Sequence, residues 1–187
     1  MYDVAVVGGG PAGGSAAIFL AKAGIKTLVL DNDKGQTRRA WMENHYGTEG
    51  ISGPDMVDAG QRQARKLGAE WVNAQVTSVA REEGGFTLTT EDGQSFQAKQ
   101  VLLATGAAMG LAEAMNLQFT EGRETRYPKV LQVDIDGRTN EPGVWAAGIL
   151  AGASAHTIIT AGHGAQVAVG LISEVQGKRH VQHDAMK

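Results

Sequence analysis

The chain contains no cysteine. This absence excludes a disulfide scaffold, a metal site built on cysteine and a dithiol redox pair within the chain. The chain also lacks a strong excess of either charge, since its formal net charge is −3 over 187 residues. We therefore expect no nucleic-acid partner and no binding to an anionic membrane surface, because both would require a basic protein surface.

Long apolar runs are missing as well. No uninterrupted run approaches the roughly 20 apolar residues that cross a bilayer, so we predict no membrane segment. The first residues lack the basic leader of a signal peptide, and we interpret the protein as cytoplasmic. The length predicts a single domain over residues 1–176, followed by a flexible tail over residues 177–187.

Glycine is abundant, and three of the 26 glycines form a G-x-G-x-x-G motif at Gly8, Gly10 and Gly13. The motif follows an apolar run at residues 4–7, which predicts a buried strand, and precedes an apolar helical segment that Gly24 ends. Gly8 permits a tight turn, Gly10 lets a pyrophosphate approach the backbone, and Gly13 lets the helix pack closely on the strand. The motif therefore predicts dinucleotide binding at the helix N-terminus.

An acidic residue follows the motif at the expected distance. A second apolar run, residues 27–30, ends at Asp31, and an acid about 20 residues after the third glycine binds a ribose 2′-hydroxyl in such sites. The whole strand–helix–strand unit is therefore present in order. An acid rather than an arginine at this point favours FAD or NAD over NADP.

The middle of the chain changes character twice. The apolar residues within 34–53 show neither helical nor strand spacing, which predicts a long loop. Loops of this length are typically either functional or disordered. A helix is predicted from Ser52 to Leu67. Short β-type runs with Gly-Gly and Asp-Gly turns predict a three-stranded antiparallel meander from about Trp71 to Ala98, followed by a separate buried strand at residues 101–104.

The remaining third is less regular at its start. Residues 107–126 are ambiguous, with a short helix predicted at 111–117. Residues 130–135 and 144–147 predict strands, and the apolar positions between 157 and 175 predict a long buried helix.

Three motifs in this order resemble those of flavoproteins: residues 8–13 with Asp31, residues 103–106, and residues 142–148. Together they resemble the FAD-binding domain of thioredoxin-reductase-like enzymes, within the pyridine nucleotide–disulfide oxidoreductase group. The resemblance covers nearly the whole chain. It implies an α/β Rossmann-like FAD/NAD(P)-binding fold, with a parallel sheet, flanking helices and an antiparallel β-meander as a further layer.

The resemblance also implies roles for individual residues. Asp31 would hold the adenosine ribose, the backbone of Val76 would meet the adenine, and the start of the last helix would point its N–H groups at the flavin. The complete set of implied FAD-binding residues is Gly8, Gly10, Pro11, Ala12, Gly13, Asp31, Gln36, Asn44, Val76, Ala104, Thr105, Gly106, Gly148, Ile149, His156, Thr157 and Ile158.

Three departures from the family pattern limit what carries over. The family inserts an NAD(P)H-binding lobe after the Ala-Thr-Gly strand, but here only residues 107–147 separate Gly106 from Gly148, and such a lobe needs at least about 50 residues. The Cys-x-x-Cys of the reductases is absent. The last family motif ends Gly-Asp, whereas this chain has Ile149, which cannot make the ribityl hydrogen bond worth roughly 1–3 kcal/mol.

Several polar and aromatic residues have two interpretations. His45 and His156 are either flavin neighbours or exposed loop residues, and Trp41 and Tyr46 either stack on the flavin ring or serve as loop or subunit contacts. His180 and His183 have helical spacing suited to a metal, but their place favours a mobile tail, so no metal site is predicted. No residue qualifies as a catalytic acid or nucleophile, and the catalytic residues stay unassigned.

The leading hypothesis is a stand-alone FAD-binding oxidoreductase or electron-transfer component without its own NAD(P)H site. Its electrons would come from and go to a redox partner protein or a small molecule, and a homodimer is plausible. Two alternatives stay open: a binding module without turnover, and the FAD subunit of a split reductase.

Overall fold

The computed structural model describes residues 1–181 and 184. The helices are α1 (Pro11–Lys22), α2 (Gly53–Lys66), α3 (Gly110–Ala114) and α4 (Thr157–Gln176). The strands are β1 (Tyr2–Val7), β2 (Thr27–Asp31), β3 (Trp41–Met42), β4 (Ile51–Ser52), β5 (Glu70–Asn73), β6 (Val76–Glu82), β7 (Gly85–Thr90), β8 (Ser95–Leu103), β9 (Phe119–Glu124), β10 (Tyr127–Leu131) and β11 (Val144–Ala146).

The main sheet has a parallel half and an antiparallel half. Its strand order is β5-β2-β1-β8-β7-β6, and β11 pairs in parallel with the last residues of β8. Strand β1 lies in the middle and is covered on both faces: Val4 and Val6 pack in one core with α1 and α4, and Ala5 and Val7 pack in the other. This two-sided burial explains the continuous apolar run of residues 4–7 and confirms the predicted α/β class.

The predicted meander is shifted along the chain. Trp71 lies in β5, which pairs in parallel with β2, so the prediction that the meander begins there is wrong. The meander consists of β6, β7 and the first part of β8. The meander was predicted to end at about Ala98 and residues 101–104 to form a separate strand, but Ser95–Leu103 is one strand. It pairs with β7 at its start and with β1 and β11 towards its end.

The loop before α2 has more structure than its sequence predicts. It contains a 3-10 helix, Gln36–Arg39, and the two-residue strands β3 and β4 pair antiparallel. Helix α2 begins as predicted, since the Ser52 hydroxyl accepts a hydrogen bond from the Asp55 amide at 3.2 Å.

The segment between β8 and β11 is the part that the sequence left ambiguous. After the short helix α3, strands β9 and β10 form an antiparallel hairpin joined by a turn at residues 125–126. The strand predicted at residues 130–135 therefore begins earlier, at Tyr127, and ends at Leu131. The hairpin was missed because Phe119 is the one apolar side chain of its first strand and three of the other five residues are charged, so the strand shows no apolar face.

Helix α4 is the long apolar helix that was predicted near the end of the chain. It has 20 residues and a mean hydropathy of 1.2, so by length and composition alone it passes as a membrane span, which the search for uninterrupted apolar runs did not predict. Core helices meet the same test, and the apolar side of α4 packs against α1 and the sheet. The absence of a membrane segment stays a prediction.

The described residues beyond α4 contact the body of the protein. The backbone amides of Lys178 and His180 donate to the Ser173 carbonyl and hydroxyl, and Lys22 pairs with Asp184. His183 lies outside the described residues, so the structure does not test the predicted helical spacing of His180 and His183. Flexibility of the tail stays a prediction.

Candidate functional site

Four strand ends and two helix starts meet at one edge of the sheet. Because β1, β2, β8 and β11 are parallel, their carboxyl ends lie at the same edge. Gly8, Asp31, Ala104 and Gly148 stand at these four ends, and α1 and α4 begin beside them. Ligands of open α/β sheets bind in this position, outside the carboxyl ends of the strands.

The first glycine turn is held by close backbone contacts. Gly8 has φ +102°, and its amide donates to the Leu30 carbonyl at 2.8 Å. A Cβ on Gly8 would lie 2.4 Å from the Ala104 carbonyl oxygen, and one on Gly13 would lie 1.8 Å from the Gly8 carbonyl oxygen. Both glycines are therefore required by packing inside the protein, which confirms the tight turn and the close approach of α1 to the sheet.

Gly10 differs from its neighbours in the motif. It is the N-cap of α1, and no atom of the described residues lies within 4 Å of a Cβ placed on it. No side chain caps the helix, so the first N–H groups of α1 remain available. An open space in front of a helix N-terminus fits a phosphate group.

Asp31 is held against the glycine turn. Its Oδ1 accepts a hydrogen bond from the Gly9 amide at 3.0 Å. A Cβ on Gly9 would lie 2.1 Å from Trp71 Cζ2, so the turn, the acid and the Trp71 ring are in close contact. This arrangement brings the acid predicted for the ribose beside the motif predicted for the pyrophosphate.

A groove of about 350 Å³ adjoins Asp31 at the outer end of this edge. Within it, the side-chain Nδ2 of Asn32 donates to Gln75 Oε1 at 2.6 Å, and Gln75 Nε2 donates to the Val76 carbonyl at 3.0 Å. The residues that line it are Asn32, Lys34, Asn73, Ala74, Gln75, Glu91 and Asp92. None of these residues was predicted from the sequence, although Val76 adjoins Gln75. Asn32 and Asn73 could have been found from their places at the ends of β2 and β5.

The turn after β11 joins the same edge. Gly148 has φ +75°, and a Cβ on it would lie 2.8 Å from the Ala12 Cβ. Its amide donates to Nδ1 of His163 at 3.1 Å. Burial lowers the pKa of His163 below its usual value, because removal from water disfavours the charged imidazole. His163 was not predicted as a site residue, since a lone histidine within a helix gives no signal of its partner.

The N-terminus of α4 is open to solvent. His156 is exposed and acts as the N-cap without a side-chain cap, and its Nδ1 lies 2.9 Å from the Ser154 hydroxyl. Among the described residues Thr157 Oγ1 is buried without a hydrogen-bond partner, and Ile158 is 37% exposed. An unpartnered buried hydroxyl beside free helix N–H groups is consistent with a polar ligand at this end.

The remaining predicted site residues lie in the segments that follow β2 and β8, and the Thr105 amide nitrogen is only 3.4 Å from a Cβ placed on Gly8. Asn44 is exposed in the loop between β3 and β4, and Gln36 accepts a hydrogen bond from the Tyr127 hydroxyl at 3.2 Å. Thr105 bonds the Ala108 carbonyl at 2.6 Å, and the adjoining Gly106 has φ +66°.

Two further predictions concern flavin stacking and metal binding. Trp41 and Tyr46 are 64% and 92% exposed, so their stacking on a flavin ring stays a hypothesis. Residues 1–181 and 184 contain no cluster of three His, Asp or Glu side chains suited to a metal. Helix N-termini, an acid at a strand end and glycine close contacts fit a dinucleotide cofactor.

Comparison with known proteins agrees with this geometry. The chain matches the family described as pyridine nucleotide-disulphide oxidoreductase over residues 2–114 and 52–169. It is 38% identical over 113 residues to the thioredoxin reductase of Aquifex aeolicus, which covers 57% of this chain and 34% of that protein. It is 31% identical over 130 residues to that of Listeria monocytogenes, covering 68% and 40%. These matches span less than half the length of each relative.

Solved structures share the fold at lower sequence identity. A thioredoxin reductase from Gloeobacter violaceus has a TM-score of 0.82 at 18% identity, covering 100% of this chain and 99% of that chain. An oxidoreductase from Agrobacterium tumefaciens has a TM-score of 0.83 at 15% identity, covering 94% and 99%. The predicted resemblance is confirmed, and the chain belongs to the pyridine nucleotide-disulphide oxidoreductase family, with the fold of thioredoxin reductases.

Proposed function

We propose that this chain binds FAD along the carboxyl edge of its parallel sheet and acts as a flavin-dependent oxidoreductase or electron-transfer component. Members of its family generally bind FAD. The observation that carries the proposal is the meeting of four strand ends and two helix N-termini at one edge, where Gly10 faces open space. FAD supplies the electron chemistry when bound, and the chain binds and orients it.

Each end of the site has a distinct proposed role. The first turn of α1 binds the pyrophosphate through its free N–H groups. Asp31 has one carboxylate oxygen bonded to the Gly9 amide and offers the other to the adenosine ribose. The groove beside Val76 receives the adenine, and the positive end of the α4 dipole stabilises negative charge on the reduced flavin ring.

We propose that electrons enter and leave through separate molecules. Between Gly106 and Gly148 the chain is taken up by α3, the β9–β10 hairpin and the return to β11, which supports the absence of a second nucleotide lobe there. Such a lobe needs about 50 to 100 residues. The absence of cysteine supports direct transfer between the flavin and an external acceptor, either a redox partner protein or a small molecule.

A visible spectrum of the purified chain tests cofactor binding. We expect a flavin absorption band, and stoichiometric FAD in the supernatant after heat release. A colourless protein that also fails to take up added FAD would overturn the proposal.

We further propose that the protein is a cytoplasmic homodimer. Analytical ultracentrifugation of the FAD-loaded protein tests the dimer, because it measures the mass of the particle in solution.

Anaerobic reduction of the loaded protein tests the missing nicotinamide site. We expect dithionite to bleach the flavin band at once, and NADH or NADPH alone to leave it unchanged over the same period. Rapid bleaching by either nucleotide alone would contradict the proposal. Bleaching that requires a second protein would identify the FAD subunit of a split reductase.

A binding module without turnover is the second candidate, and Ile149 favours it. The position is half-buried beside Tyr127 and Val130, and its apolar side chain offers no hydrogen bond to a ribityl hydroxyl. A protein that binds FAD tightly, but whose flavin exchanges electrons with no donor tested, would match this candidate.

The variant I149D restores the family residue at this position. A hydrogen bond from a hydroxyl to a carboxylate contributes about 1.5–3 kcal/mol, so we expect FAD to bind roughly 10- to 150-fold more tightly. The variant I149L is the matched apolar control. Flavin fluorescence titration measures both dissociation constants, and weaker binding by I149D than by I149L would contradict the assigned place of Ile149.

A further inference from the structure

The amide of Gly148 has an unusual partner. Gly148 is the first residue of a 3-10 helix, Gly148–Ala151, and the N-cap Ala147 contributes no side-chain acceptor. The first N–H groups of a helix have no partner within it and need one from elsewhere. Here the partner is Nδ1 of His163, at 3.1 Å, from the second turn of α4.

This hydrogen bond lies where three elements of the proposed site meet. A Cβ on Gly148 would lie 2.8 Å from the Ala12 Cβ, in the first turn of α1. A Cβ on Gly164, the residue after His163, would lie 2.0 Å from the Ala12 carbonyl oxygen. The bond therefore ties α4 to the end of β11 at the place where both touch the start of α1.

We infer that His163 is a positioning residue, which holds the Gly148 turn and thereby sets the N-terminus of α4 relative to the glycine turn of α1. The inference rests on the proposed function, since it concerns residues that would hold FAD. His163 acts through the backbone and does not touch the reacting atoms. Because Ile149 offers no hydrogen bond, the orientation of the ligand depends more heavily on the backbone at this turn.

The chemistry of the bond specifies one form of the imidazole. An amide N–H can only donate, so Nδ1 must carry no proton, and in the neutral ring the proton is on Nε2. A side chain with an acceptor at the Nδ1 position preserves this bond, and one with the acceptor displaced or absent loses it. Asparagine places its Oδ1 near the Nδ1 position, whereas glutamine extends its oxygen one bond further.

Three variants at one position separate this role from bulk packing: H163N, H163Q and H163L. The first readout is hydrogen exchange of the Gly148 amide, followed by NMR in the full chain without added FAD. We expect exchange about tenfold faster in H163Q and H163L, and within about threefold of the wild type in H163N, because only asparagine keeps the acceptor in place. The surface variant Q166L, one turn along α4, is the matched control and should leave Gly148 unchanged.

The second readout is the dissociation constant for FAD from flavin fluorescence. We expect it to rise about tenfold in H163Q and H163L and to be restored in H163N. Equal protection of Gly148 in all variants, or equal loss in H163N and H163L, would overturn the inference. If H163L fails to fold, the comparison of H163N with H163Q decides.

The two readouts distinguish the failure of this inference from failure of the proposed function. Wild-type protein that binds no FAD overturns the proposed function, while the exchange of Gly148 still tests the role of His163 in holding the turn. Nitrogen chemical shifts of the His163 ring supply a spectroscopic signature, since they identify which nitrogen carries the proton. A proton on Nδ1 in the wild type would overturn the inference directly.

Discussion

At the scale of single residues, the glycines of the first turn divide into two kinds. A Cβ on Gly13 would meet the Gly8 carbonyl oxygen at 1.8 Å, whereas one on Gly10 would meet nothing within 4 Å among the described residues. Gly13 is therefore needed by the fold itself, whereas no contact within the described residues requires glycine at position 10. The motif thus contains one structural position and, three residues before it, the position proposed to face the pyrophosphate.

The variants G10A and G13A test this division. We expect G13A to lower the free energy of unfolding by about 1–3 kcal/mol, because the added methyl forces α1 away from the sheet. We expect G10A to change it by less than about 1 kcal/mol while weakening FAD binding, since the methyl would occupy the space of the pyrophosphate. Urea unfolding and flavin titration of both variants give the two quantities. A strongly destabilised G10A would contradict the assignment.

The pKa of His163 predicts a pH dependence of stability. Burial lowers this pKa in the folded protein relative to its usual value of 6.5, so the unfolded chain binds more protons as the pH falls. The stabilising contribution is therefore complete above pH 6.5 and decreases as the pH falls below it towards the lower folded pKa. We expect the stability difference between the wild type and H163N to shift against the wild type as the pH falls below 6.5.

Urea unfolding of both proteins across this range measures the difference. The other histidines and all the carboxylates are present in both proteins, so their titration cancels in the comparison. A difference that is constant with pH would show that folding leaves the pKa of His163 unchanged, and one that shifts in favour of the wild type as the pH falls would show that folding raises this pKa. Either result would contradict the prediction.

At the scale of elements, the crossing of α1 and α4 depends on small residues. Gly164 is buried in this crossing, and a Cβ on it would lie 2.0 Å from the Ala12 carbonyl oxygen. Gly162, one residue before His163, is exposed and has nothing within 4 Å of its Cβ position among the described residues. Both lie in the same helix, so their intrinsic helix propensity is the same and only the packing differs.

The variants G162A and G164A separate propensity from packing. We expect G162A to raise the free energy of unfolding by about 0.5–1 kcal/mol, as alanine favours a helix more than glycine does. We expect G164A to lower it by about 1–3 kcal/mol, because the two helices must move apart. Thermal and urea unfolding measure both effects. Similar changes in the free energy of unfolding for G162A and G164A would mean that α1 and α4 can move apart without a loss of stability.

Some elements could be predicted from the sequence and others could not. The unit β1–α1–β2 was predicted closely, because its turn residues, apolar runs and helix end are contiguous and each follows from local chemistry. Helix α2 was predicted for the same reason, from Ser52 and Pro54 at its start. The hairpin β9–β10 was missed, because β9 carries charged and polar residues that leave no periodic apolar signal, and without β9 the partner of β10 cannot be predicted.

At the scale of the whole molecule, the two cores on either side of the sheet share the strands that end at the site. Ligand binding at that edge should therefore stabilise the complete fold. With free FAD at about 100 times its dissociation constant, linkage gives about 2.7 kcal/mol. For a domain of about 150–250 residues this corresponds to a rise in Tm of roughly 5–10 °C.

A thermal shift assay with FAD, ADP, FMN and NADPH measures this effect on the full chain. We expect FAD to raise Tm most, ADP less, and FMN and NADPH little, because the proposed site would contact both halves of FAD. A shift with ADP equal to that with FAD would mean that only the adenosine half is held. No shift with any of the four ligands would contradict the proposed site.

The sequence by itself determined the first dinucleotide turn, the class of fold and the family. These depend on residues that are neighbours in the chain, so glycine spacing, an acid after a strand and the order of three motifs were sufficient. Only the tertiary structure decided that Trp71 belongs to a parallel strand, that β8 is one strand with three partners, and that His163 holds the Gly148 amide. Each of these depends on contacts between distant residues, and a short apolar run or a lone histidine does not specify its partner.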